Sequence, residues 1–131
     1  MARVVEAQIL PGLMKPIGPY SHYTKAGNFI TISAIAGVDP ATGALAGDDV
    51  ESQTAQILNA IKAILAEAGS DLGGLLHVNI FLTDMALFQR MNVVYADMLG
   101  EHRPARSVVE VRALPKEGAL LTMNATAVAR S

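Results

Sequence analysis

Two arginines three positions apart, Arg103 and Arg106, open the stretch RPARSVVEV, which after Pro104 reads as a strand. A guanidinium is planar and always charged. It can meet a carboxylate with two parallel charge-assisted hydrogen bonds worth about 1.5–3 kcal/mol each in a partly dry cleft. An arginine that leads into a buried strand is thus either a solvated edge charge or an anion hook, and the rest of the chain has to decide. Few other residues compete for chemistry. The absence of cysteine excludes a thiol nucleophile, thiolate zinc and disulfides, and His22, His77 and His102 lie far apart without metal-ligand spacing, so neither a metal nor a cofactor is expected. Ser107 follows Arg106 directly, so strand alternation turns it to the opposite face, and no histidine or acid is evidently placed to activate it.

Four more polar positions stand out, each with an ordinary structural role beside a functional one. Tyr20 in GPYS presents a ring for apolar contact and a hydroxyl for hydrogen bonding, or is simply a turn aromatic. Asn92 borders the apolar stripe of Phe88, Met91, Tyr95 and Leu99, where its amide needs a partner. Ser33 ends FITIS, a place where a strand serine commonly bonds to backbone. Thr122, with Asn124 and Thr126, makes an alternating polar stripe on an otherwise apolar strand, and such stripes ordinarily bond between strands.

The elements that must position these residues follow from periodicity. Strands are expected over Arg3 to Leu10, across a hairpin broken at Gly27-Asn28, over Leu75 to Leu82, and in RSVVEV and ALLTMNATAVA. Apolar positions at helical spacing from Asp49 to Ala68, with Asp48 or Asp49 as N-cap and Gly69 as stop, give a long amphipathic helix; a second runs from the Thr83-Asp84 cap to about Leu99. At 131 residues and 51% hydrophobic content, the chain reads as one domain spanning 1–131, α+β in class, with about six strands in a mixed sheet and two helices. Two helices cover one face only, so a homo-oligomer that buries the other is expected. Net charge −2 and 5% aromatic content leave no surface for nucleic acid. No apolar run approaches the roughly 18 residues of a membrane span, and Glu6 and Gln8 interrupt any secretory core, so a cytoplasmic protein without membrane contact is expected.

The segments IGPYS, GNFITIS, VDPATGAL, FLTDMALFQRMNVVYADML and RPARSVVEVRALPKEGAL, in this order and spacing, resemble the RidA/YjgF family of reactive-intermediate deaminases over nearly the whole chain. The resemblance implies a chorismate-mutase-like fold, a homotrimer with a central barrel, ligand sites in the clefts between subunits, and hydrolysis of small 2-imino acids, formed from enamines, to 2-oxo acids and ammonia. It also implies that Arg106 is the carboxylate-binding arginine, with Arg103 a solvated loop residue, and that Tyr20, Ser33, Asn92 and Val108 line the substrate site.

Three departures bear on activity. SAIAG, Ser33 to Gly37, stands where many relatives read SGQIP, Val108 stands where they carry cysteine, and Thr122 stands in place of an acidic residue associated with the hydrolytic water. Threonine orients a water but takes no proton at neutral pH, and general-base help is typically worth about 10²–10⁴ in rate. The sequence therefore admits an enamine/imine deaminase using Arg106 and a Thr122-oriented water, a pathway-specific relative such as a 2-aminomuconate deaminase, or a non-catalytic carboxylate-binding or regulatory trimer.

Overall fold

A computed structural model describes residues 4–130. Its frame is a six-stranded sheet of β1 (Glu6–Gln8), β2 (Tyr23–Ala26), β3 (Phe29–Ala36), β4 (Leu75–Leu82), β5 (Ala105–Glu110) and β6 (Leu121–Val128), in the order β1-β2-β3-β6-β4-β5. All neighbours are antiparallel except β4 and β5. The helices α1 (Val50–Glu67) and α2 (Phe88–Leu99) complete an α+β architecture, as expected.

Local chemistry explains most of the boundaries. The β2–β3 hairpin turns on Gly27, whose φ of 59° few other residues would tolerate. Asp49 caps α1, its carboxylate accepting from the Ser52 N–H at 2.8 Å. At the other end Gly69 takes φ 86° while Ser70 N bonds Leu65 O and Gly69 N bonds Ala66 O, a paired closure that satisfies two orphan carbonyls. The second helix begins differently from expectation: Asp84 accepts from the Ala86 N–H at 2.9 Å and so caps a tight 3₁₀ turn, Met85–Leu87, which runs into α2.

The expected first strand is shorter than Arg3 to Leu10. Arg3 lies outside the described residues, Val4 and Val5 are exposed, and pairing is confined to Glu6–Gln8 because its only neighbour, β2, is four residues long. Beyond it, His22 fixes the following segment: its Nδ1 accepts from Leu10 N at 2.8 Å, and its Nε2 lies 2.6 Å from Met14 O and donates to it.

One core joins the inward residues of the sheet (Ile30, Ile32, Val78, Ile80, Leu121, Met123) to Ile57, Ile61, Ile64 and Leu65 of α1 and Met91, Tyr95 and Leu99 of α2. The opposite face is uncovered and uncharged along its central strands. There Thr24 meets Thr31 at 2.5 Å, and a chain runs from His77 to Asn79 (3.1 Å) to Asn124 (2.9 Å), so of the polar stripe Asn124 makes the expected interstrand bond.

A single buried amide locks α1 onto the sheet. Gln53, fully buried, donates to Gly47 O (2.9 Å) and Gly118 O (3.2 Å) and accepts from Leu120 N (2.8 Å). Its backbone lies so near Gly37 that a Cβ there would fall 2.6 Å from Gln53 O, so the last residue of SAIAG is backbone packed on a helix. Gln53→Leu would remove three hydrogen bonds to partly or fully exposed backbone groups of Gly47, Gly118 and Leu120, each worth about 0.5–1.5 kcal/mol. Urea unfolding is expected to show a loss above about 2 kcal/mol; an unchanged midpoint would remove Gln53 as the lock.

Candidate functional site

The parallel register pairs Val78 with Arg106 and Ile80 with Val108, and since Val78 and Ile80 point into the core, Arg106 and Val108 point to the helix side too. Above them lies α2, where Phe88, Asn92 and Tyr95 fall one turn apart and share a face. Arg106 is half-buried beneath this face. Its Nη1 donates to Asn92 Oδ1 at 2.8 Å, and its guanidinium carbon sits 4.8 Å from the Tyr95 ring centre and 5.6 Å from that of Phe88. The partner that Asn92 needed is thus Arg106 itself. The aromatic faces hold the cation by its charge while leaving the rest of its donor fork unused.

Around this arginine opens a cleft of about 330 Å³, lined by Asn92, Tyr95, Ala96, Arg103, Pro104 and Arg106. No carboxylate lines it. Arg103, expected to be solvated, is indeed exposed but not idle: one Nη donates to the carbonyls of Gly100 and His102 at the end of α2. Tyr95 is 5% exposed and its hydroxyl has no hydrogen-bond partner. Burial pushes its pKa above the ordinary tyrosine value, against the opposing pull of the Arg106 and Arg103 charges. The arrangement can seat a planar anion on a preoriented guanidinium, with a neutral phenol beside it.

The other candidates lie elsewhere. Tyr20 sits on the segment after β1, its hydroxyl accepting from Ile17 N at 3.3 Å and its ring beside Leu13, Met14, His22 and Ile35. Ser33 donates to Ser21 O at 2.5 Å, the ordinary strand-serine bond. Thr122 is buried at 5% exposure and pairs with Ala36 and Phe81 on the uncovered face. Within one chain, then, Arg106, Asn92 and Val108 share one side of the sheet, while Thr122 faces the other side with β4 between it and β5.

Two features escaped the sequence reading. Tyr95 and Phe88 were counted only as apolar stripe, although their spacing from Asn92 already placed them on its face. Ser107 does have a histidine nearby, since His77 Nε2 is 3.3 Å from its Oγ across the parallel strands. That same nitrogen lies 3.1 Å from Asn79 Oδ1, and Asn79 gives its amide N–H to Asn124, so Nε2 is the protonated nitrogen and offers the serine no base. Among the described residues no three His, Asp or Glu side chains converge as a metal set.

Comparison with known proteins agrees with this frame. A model of the family described as Endoribonuclease L-PSP matches residues 12–129. A RutC family protein of Pyrococcus horikoshii is 50% identical over 103 residues, 79% of this chain and 82% of that one. The 2-iminobutanoate/2-iminopropanoate deaminase of Salmonella typhimurium is 39% identical over 104 residues, 77% of this chain and 80% of its own length. Among solved structures, the YjgF gene product of E. coli superposes with a TM-score of 0.88 at 34% identity, covering 95% of this chain and 99% of that one. RidA from the Antarctic bacterium Psychrobacter gives a TM-score of 0.89 at 32% identity, covering 94% and 98%. With its motifs, sheet order and sequence all in register with these proteins, the chain belongs to the RidA/YjgF family.

Proposed function

We propose that the protein is an enamine/imine deaminase that hydrolyses a small 2-imino acid to a 2-oxo acid and ammonia. The observation that carries this reading is the half-buried guanidinium of Arg106, oriented by Asn92 and Tyr95 in a cleft free of carboxylates. The substrate carboxylate takes the open side of that fork, which leaves the adjacent imine carbon at a fixed distance from the arginine. Water adds to this carbon, the C=N bond becomes a carbinolamine, and the C–N bond then breaks to release ammonia and leave the ketone. The deaminase names borne by the Salmonella relative and by the Arabidopsis Reactive Intermediate Deaminase A, 38% identical over 99 residues, support the same chemistry.

Assembly belongs to the proposal. A homotrimer covers the uncovered sheet face and brings Tyr20, Ser33 and Thr122 of one copy toward Arg106 of its neighbour, which the opposed positions of Arg106 and Thr122 within one chain favour. Thr122 then orients the water without deprotonating it. The missing acid also favours a second reading, a carboxylate-binding trimer with little or no turnover, or a deaminase for a pathway-specific substrate. Ammonia release from freshly generated 2-iminobutanoate, 2-aminoacrylate and 2-aminomuconate, run side by side, separates these readings.

Three outcomes are expected. Sedimentation at micromolar concentration should give a trimer; a 13.8 kDa monomer would remove the intersubunit site. Arg106→Ala should weaken calorimetric binding of 2-oxobutanoate by roughly 2–5 kcal/mol with the trimer intact, and unchanged affinity would sink Arg106 as the hook. Thr122→Glu should raise the hydrolysis rate constant about 10-fold or more with a smaller change in affinity. A well-folded Thr122→Glu trimer with no gain would show that this position does not control the chemistry.

A further inference from the structure

The cleft holds a second guanidinium that the deaminase reading does not use. Arg103 and Arg106 both line it, no carboxylate does, and neither arginine takes part in the side-chain ion pairs among the described residues, which are Arg90 with Glu51 and Arg130 with Asp71. Arg103 is already anchored, because one of its Nη groups is committed to the Gly100 and His102 carbonyls. The other Nη and the Nε remain to face a ligand, at little further cost in side-chain freedom. Pro104, the residue after it, fixes the backbone between the two arginines. Both guanidinium groups line a cleft of only about 330 Å³, so together they can bracket only a small molecule.

We propose that the cleft is a two-point anion site: Arg106 takes the carboxylate beside the reacting carbon, Arg103 takes a second carboxylate at the other end, and the preferred ligand is therefore a small dicarboxylate. This rests on the reading of Arg106 as the carboxylate hook and adds the substrate class. Two guanidinium groups line this cleft with no carboxylate among its walls, so a dianion can meet both positive charges where a monoanion meets one. A volume of about 330 Å³ sits at the small end of ligand sites and matches a short diacid.

Calorimetry with 2-oxobutanoate and 2-oxoglutarate as probes tests it. The wild-type protein is expected to bind 2-oxoglutarate roughly tenfold or more tightly than 2-oxobutanoate, the gain of one added charge-assisted contact. In Arg103→Gln that ratio should fall toward one, and in Arg103→Lys, which keeps the charge without the fork, part of it should return, with melting curves checking the end of α2. Equal affinities in the wild type, or a preference that persists in Arg103→Gln, would overturn the two-point site while leaving the Arg106 hook standing. Failure of both probes to bind the wild type would overturn the hook and this inference together.

Discussion

The parallel pairing of β4 with β5 is the constraint from which the site follows. Parallel neighbours cannot be joined by a tight turn, so the chain must leave β4, cross over, and re-enter at the same end. The crossover here is the 3₁₀ turn and α2, which therefore lies across the edge where β5 runs. Register does the rest: opposite Val78, position 106 must face the helix, and any polar side chain there is trapped beneath it. A lysine or leucine would pack or snorkel. An arginine finds an amide for one donor and aromatic faces for its plane, and so keeps a charge half-buried without a counter-ion.

Much of the frame was legible because it is locally encoded. The Gly27 hairpin, the Asp49 cap, the Gly69 stop and the bounds of β4 each depend on residues within a turn of one another. Where local signals compete, the reading slipped. The apolar run before Leu10 looked like a full strand, but its length is set by a short partner on the far side of the proline-rich segment, and Asp84 starts a tight turn before it can start a helix. The sheet order and the parallel pair depend on contacts far apart in sequence, and periodicity carries no trace of them.

The candidate site was legible to a similar degree. Arg106 and Asn92 stand fourteen residues apart in sequence yet share a hydrogen bond, and the motif resemblance had named both. Period-two alternation separated Ser107 from Arg106 correctly, because that rule needs only one strand. What could not be read was which residues from other strands would face Ser107, so His77 was missed, or that the Arg103 loop would close the same cleft as Arg106. Likewise, residue types alone do not tell that Thr122 and Arg106 look out from opposite sides of one sheet.

The strand order also sorts the molecule by how readily its backbone opens. Strand β6 is paired on both sides and mostly buried, with only Val128 exposed, so its amides should exchange with solvent only when the whole molecule unfolds. Strand β1, three exposed residues at the sheet's margin, and the coil that follows it can exchange by local fraying. Tyr20 rides on that coil, held by His22 and a few single hydrogen bonds, whereas Arg106 is roofed by a helix packed into the main core. Yet β5 is the sheet's other margin and mostly exposed, so the guanidinium is held by the helix above it rather than by its own strand, and a ligand touching both residues would register as amide protection gained around Tyr20 and along β5 alike.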